Sequence, residues 1–388
     1  MLTCQKHLFS LPESVHYINC AYMSPMMKRV EEAGIAGIRA KSLPHLVKPI
    51  DFFPDVHRLR QAFAELIGAA SHESIALIPS VSYGMSIVER NLRRNPNSKP
   101  GGNIVLLQDE FPSVVYPCYR MSEQHGLEVR MVAAPKRDAE RGKRWNEALL
   151  EAIDRSTTLV ALSGVHWTDG TRFDMRALRK RTRDVGALLV IDGTQFLGAM
   201  PFDVQHIQPD ALIAGSYKWM MGPYSIGAMY LGEFFADGVP NEEGWLNRLG
   251  SEDFSRLVEY QREYQPGMMR YSVGEQSNFI LVPMFLAAVE QLLEWRVSEI
   301  ESYIQHLTAE LFAEFAALGC TVEDEVWRSK HLWGVRLPKN VNVSRVQEQL
   351  AARNVYVSVR GDAVRISPNV YNDARDVEAL IDALREAL

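Results

Sequence analysis

Two residues in this 388-residue sequence stand where apolar runs stop abruptly and chemistry becomes possible. Residues 188–198 read LLVIDGTQFLG, a strand pattern ending on Asp192. A carboxylate there serves either as a turn or capping group or as a functional acid. Residues 211–222 read ALIAGSYKWMMG, a second strand pattern running into Lys218. A lysine after a strand is ordinarily solvated, because lysine is rarely buried without a partner. Lys218 is instead flanked by Tyr217, Trp219, Met220 and Met221. Apolar company destabilises the ammonium, and the neutral amine is the nucleophile that forms a Schiff base with a carbonyl. A third segment, 78–86, reads IPSVSYGMS: a strand end, a small-residue turn and a helix starting near Ser82. Free N–H groups and hydroxyls at a helix start suit a phosphate, although serine there also acts simply as an N-cap.

Elements must hold these segments together. Apolar runs at 75–78, 104–107, 129–132, 159–162, 188–191 and 211–214 predict buried strands separated by helices or loops. That rhythm belongs to a mostly parallel, helix-covered sheet, which holds its ligands at the carboxyl ends of its strands. A helical pattern then runs from Gln276 past Leu311, and strands are expected at 333–337, 355–359 and 364–366. A helix from near Ser344 and a final amphipathic helix over 373–388 complete a smaller α+β unit. The expected division is an N-terminal segment 1–20, a large domain 21–255 and a small domain 256–388.

Bulk properties narrow the classes. A composition of 47% hydrophobic and 23% charged residues is that of a core-forming chain larger than one ordinary domain. The net charge of -6 leaves no electrostatic footprint for nucleic acid. Cys4, Cys20, Cys118 and Cys320 show neither CxxC nor metal-ligand spacing, so a reduced, cytoplasmic setting without metal is expected. The longest apolar run, 279–289, is interrupted by Pro283 and is too short to span a bilayer, and no signal-peptide pattern opens the chain. A soluble protein is the expectation.

The Asp-Gly-Thr-Gln-x-x-Gly of 192–198 and the Ser-Tyr-Lys-Trp-x-x-Gly-Pro of 216–223 resemble the class V branch of fold-type-I pyridoxal-phosphate (PLP) enzymes. That branch includes cysteine desulfurases, kynureninases, isopenicillin-epimerase-like proteins and several aminotransferases. The resemblance implies the type I PLP-dependent transferase fold: an α/β large domain with a mainly parallel seven-stranded sheet, plus a smaller C-terminal α+β domain. It implies that Lys218 carries the cofactor aldehyde, that Asp192 pairs with the pyridine nitrogen and that Gln195 contacts the ring hydroxyl. Val81, Ser82 and Tyr83 match the family's phosphate-gripping turn, with Tyr217 adding a hydroxyl. Phe111, in Asp-Glu-Phe-Pro-Ser, matches the residue that stacks on the pyridine, core packing being its alternative. Trp167, in His-Trp-Thr-Asp-Gly, falls beside it in the cofactor slot.

Arg365, in Arg-Gly-Asp-Ala-Val-Arg-Ile-Ser, resembles the family's C-terminal arginine that clamps the substrate α-carboxylate in bidentate fashion. Arg360 opens the same segment, and either arginine has the alternative of being a surface strand residue. Asn19 and Tyr22 match the family's N-terminal substrate segment. The resemblance further implies a homodimer with sites at the interface, for which Trp245 and the Gly-Glu-Gln-Ser turn at 274–277 are the candidates to reach the partner's phosphate. Relatives usually carry Gly-Thr at 274–275.

Activation of the α-carbon is common to the branch, and transamination, epimerisation and β-elimination diverge from it. A cysteine desulfurase needs a thiol shortly before the carboxylate-binding arginine, and residues 321–365 contain no cysteine. Amino-acid transamination is therefore the expected activity. A kynureninase-like or C–S β-lyase, or an epimerase, is the alternative. A catalytically silent binding module is the reading from another class, and the joint presence of Lys218, Asp192, Gln195 and Arg365 argues against it.

Overall fold

The computed structural model describes residues 2–136, 140–339, 341–360 and 363–388. Gly361 and Asp362 of the arginine motif lie outside the described residues. In chain order the strands are β1 (His16–Tyr17), β2 (Ile75–Ile78), β3 (Asn103–Leu107), β4 (Glu128–Val132), β5 (Thr157–Ser163) and β6 (Leu188–Asp192). They continue with β7 (Ala211–Gly215), β8 (Gly227–Leu231), β9 (Trp333–Arg336), β10 (Val355–Tyr356), β11 (Ser358–Arg360) and β12 (Ala363–Ile366).

Strands β2 to β8 form one seven-stranded sheet in the order β2-β8-β7-β6-β5-β3-β4. Strand β8 runs antiparallel to both neighbours, and the other neighbours pair in parallel. Successive side chains of a strand point to opposite faces, and here alternate residues feed two cores. Leu189, Ile191 and Leu212 belong to one, Leu188, Val190 and Ile213 to the other. Every residue of β2, β3, β5, β6 and β7 is buried, as expected of strands covered on both faces.

The six apolar runs of the large sheet all form strands. The seventh, β8, was not predicted as an element. It follows a turn in which Ser225 takes φ +69, so the chain doubles back past the lysine segment before pairing. The helical pattern from Gln276 proves to be three helices, Leu281–Trp295, Val297–Leu307 and Leu311–Ala317. Arg296, at φ +64, donates its N–H to the Leu292 and Leu293 carbonyls and starts the next helix, a bend that apolar periodicity does not register. The expected 355–359 strand is likewise divided. Its first half pairs in parallel with β1 of the N-terminal segment, and its second half joins the antiparallel order β11-β12-β9. The last helix, Ala374–Ala387, begins on an Asp373/Asp376 capping box.

The helix Val81–Asn91 is held close to the sheet by Gly84, where a Cβ would sit 2.8 Å from the Ile213 side chain. Among the described residues no helix is long and apolar enough to cross a membrane.

Candidate functional site

Five parallel strands deliver their carboxyl ends to one place. Strand β2 leads to Ser80, β3 to Phe111, β5 to Ser163 and Trp167, β6 ends on Asp192, and β7 leads to Tyr217 and Lys218. In the sheet register Ser163 lies opposite Asp192, and Asp192 opposite Ile213. The residues line a cavity of about 190 Å³ that also includes Val81, Thr194, Gln195 and Tyr224. An outer cavity of about 290 Å³ lies against it, lined by Tyr22, Met23, Arg360 and Arg365. Phe111, Trp167, Tyr217, Lys218 and Tyr224 border both. A broader cleft of about 600 Å³, bordered by Arg172, Phe202 and Trp327, contains none of the expected site residues.

Lys218 is 6% exposed, with Nζ 5.1 Å from the Phe111 ring centroid and 5.5 Å from that of Tyr217. Burial brings its amine down to about 8, against the opposing pull of the Asp192 carboxylate. Burial also pushes the Asp192 carboxyl up to about 6, although the Thr194 hydroxyl and backbone N–H both favour its charged form. A carboxylate this deep gains most from a cationic partner, and a protonated ring nitrogen would be one.

Glu110, which the sequence did not single out, is buried behind this pair. Its carboxylate accepts from the Ser163 N–H (2.7 Å), the Ser163 hydroxyl (2.6 Å) and the Phe111 N–H (2.7 Å), fixing the backbone on which Phe111 sits. Phe111 meets Trp167 edge to face at 5.6 Å, and the Trp167 indole donates to the Asp109 carbonyl. Gln195 is clamped from three sides. Its amide donates to the Ala21 carbonyl (3.2 Å), its side-chain oxygen accepts from Trp219 Nε1 (3.0 Å), and its backbone carbonyl lies 2.8 Å from His331 Nε2. Burial holds the His331 imidazole down at about 4, so it is neutral, and Nε2–H donates to that carbonyl.

At the phosphate-suited turn the helix begins one residue earlier than expected. Ser80 is its N-cap, accepting from the Tyr83 N–H at 3.2 Å. Val81 lines the inner cavity, Ser82 is exposed with its hydroxyl 3.0 Å from that of Ser80, and Tyr83 borders neither cavity. On the outer side, Arg365 is 1% exposed and donates to the Trp167 carbonyl (2.9 Å) and the Ser358 hydroxyl (3.4 Å). Asn19 stands behind it, accepting from Ser358 Oγ at 2.9 Å, and borders neither cavity. Trp245 is apart from both, 39% exposed and packed on Phe52 and Phe254. In the 274–277 turn the Gly274 N–H is taken by the chain's own Glu242 at 2.6 Å.

The donor set fits PLP. A buried amine suits its aldehyde, a buried carboxylate its ring nitrogen, an aromatic face its ring, and a helix amino terminus with free backbone N–H groups its phosphate.

Comparison with known proteins agrees. Residues 50–380 match the family described as Aminotransferase class-V. An uncharacterized protein of Schizosaccharomyces pombe is 25% identical over 380 residues, covering 96% of this chain and 83% of its own. An uncharacterized aminotransferase of Bacillus subtilis, YcbU, is 25% identical, covering 84% and 82%. Isopenicillin N epimerase of Amycolatopsis lactamdurans is 24% identical, covering 97% and 96%. The fold is shared with cysteine desulfurase CsdA of Escherichia coli (TM-score 0.80, 19% identity, 98% and 97% covered). It is shared as well with a C-DES variant carrying glycine covalently linked to PLP (TM-score 0.86, 18% identity, 100% of both chains). This chain belongs to the class V aminotransferase family, and its cofactor is pyridoxal phosphate.

Proposed function

We propose that the protein is an amino-acid aminotransferase in which Lys218 holds PLP and moves the α-proton, while Arg365 fixes the substrate α-carboxylate. The observation that carries this reading is the position of Lys218 on the wall between two cavities, one suited to the cofactor and the other ending on a buried arginine. Bound PLP supplies an electron sink for the charge left at the α-carbon. Asp192 keeps a proton on the ring nitrogen, Phe111 covers one ring face, Gln195 presents its amide toward the ring hydroxyl, and Ser80 with the Val81–Ser82 backbone receives the phosphate. A lysine whose amine is brought down to about 8 exchanges protons readily near neutral pH.

Thiol chemistry is disfavoured. Residues 321–365 hold no cysteine, and Cys320 is a buried free thiol whose pKa burial pushes up to about 11. A single-turnover assay tests the reaction. With an amino-acid donor alone the enzyme should release one equivalent of 2-oxo acid and retain the amino group, which an added 2-oxo acid then carries away as new amino acid. Continuous release of ammonia without any acceptor would instead assign the C–S β-lyase alternative.

We further propose a cytoplasmic homodimer. Tyr22, Met23 and Tyr224 leave much of their apolar surface exposed around the outer cavity, as does Trp245 elsewhere on the chain. Exposed apolar area of this kind calls for a partner, and two-fold closure is the commonest way to cover it. Light scattering should give twice the chain mass, with Trp245 fluorescence shielded from quencher. A monomer with full PLP occupancy and activity would contradict the assembly.

A further inference from the structure

Arg360 and Arg365 belong to one face of the small antiparallel sheet. Ser358 pairs with Arg365 and Arg360 with Ala363. Residues two apart on a strand share a face, so Arg360 and Arg365 are diagonal neighbours, on the order of 7–8 Å apart at the backbone. Both side chains reach the outer cavity, where Lys218 is also found. Arg365 uses Nη1 on the Trp167 carbonyl and Nη2 on the Ser358 hydroxyl, and its Nε has no partner among the described residues. Arg360 donates to the Val359 carbonyl at 2.8 Å, and its guanidinium carbon stands 5.6 Å from the Trp167 ring centroid. No carboxylate of the described residues borders the outer cavity. Asp192 lines the inner one, and Glu110 is satisfied by Ser163 and Phe111.

Two guanidiniums beside Lys218 thus face a mouth that no carboxylate of the described residues borders. After burial, the charge of Arg360 is the largest cause holding the Arg365 guanidinium down, and both arginines lower Lys218. One α-carboxylate satisfies one guanidinium and leaves the second unmatched. We propose that Arg360 binds a second anionic group on the substrate side chain, so that the preferred substrates are dicarboxylic amino acids. This rests on the reading in which Arg365 takes the α-carboxylate. The Trp167 face holds Arg360 near its working position, which lowers the ordering cost of recognising that second anion.

Calorimetry on the holoenzyme with unreactive acids tests the proposal without turnover. Succinate and glutarate should bind at least about tenfold more tightly than butanoate and pentanoate, in keeping with a charge-assisted hydrogen bond. Arg360→Gln should erase that preference, and Arg360→Lys should retain part of it. In steady state, Arg360→Gln should lower the ratio of kcat/KM for glutamate over glutamine by roughly 10- to 100-fold. Equal binding of mono- and dicarboxylates by the parent overturns the proposal, as does a variant that weakens both equally. If Arg360→Gln does not fold, the parent's own binding preference still decides. Loss of the transamination reading alone would leave the calorimetric preference intact, so the two failures are distinguishable.

Discussion

Lys218→Ala should remove the yellow absorbance of the purified protein and reduce turnover by about 10²- to 10⁴-fold from the lost proton transfer alone. Two consequences of one side chain are joined in that result. In the proposed reading the amine is the covalent anchor of the cofactor, and it also stands on the wall between the inner and outer cavities. Borohydride should fix the cofactor to Lys218 in the parent, and peptide mass spectrometry should find the adduct there. An adduct on another lysine would remove the assignment. The pH dependence of cofactor uptake gives an independent check. Only the neutral amine attacks an aldehyde, and the neutral fraction grows as pH rises through the amine's pKa. Burial brings that pKa down to about 8. Reconstitution of the apoenzyme should therefore accelerate up to about pH 8 and then level off. A solvated lysine would keep accelerating toward its ordinary value of about 10.4.

Lys218 and Asp192 were legible because each stands where an unbroken apolar strand stops, and strand ends of a parallel sheet are where ligands collect. The helix after β2 was legible for a similar reason, although its cap is Ser80 and Ser82 is exposed. A cap is chosen by which residue leaves helical geometry, and a run containing Ser80, Ser82 and Ser86 does not announce that choice. Glu110 and His331 were not legible at all. Their importance comes from partners far along the chain, Ser163 for Glu110 and the Gln195 carbonyl for His331, and no local pattern encodes such a contact. Arg296 escaped notice because the apolar period runs on through its left-handed backbone. Strand β8 escaped because its first residues, Gly227 and Ala228, give little β-forming signal, and the chain reaches it through the Ser225 turn.

Arg365→Ala should keep bound PLP and its absorbance while losing roughly 30- to several-thousand-fold in kcat/KM toward α-amino acids, about 2 to 5 kcal/mol. The direction follows from where the residue sits. Arg365 borders the outer cavity only, so the inner-cavity residues proposed to hold the cofactor stay in place. The size follows from its burial. A guanidinium 1% exposed, held by the Trp167 carbonyl and the Ser358 hydroxyl, is already desolvated and oriented before substrate arrives. Preorganised charge of this kind binds a carboxylate without paying a further ordering cost. Its loss leaves the substrate carboxylate unpaired in a site walled by Phe111, Trp167 and Tyr217. Orientation would be lost along with affinity, because a carboxylate anchor would fix how the α-carbon is presented to the reacting groups. Arg365→Lys should recover only part of the efficiency, since an ammonium cannot reproduce the two-pronged geometry. The decisive comparison is with an amine lacking the α-carboxylate. Arg365→Ala should leave its slow turnover nearly unchanged while α-amino acids fall to that level. A variant that processed α-amino acids as well as the parent would transfer the carboxylate-binding role to Arg360, the other guanidinium of the same cavity.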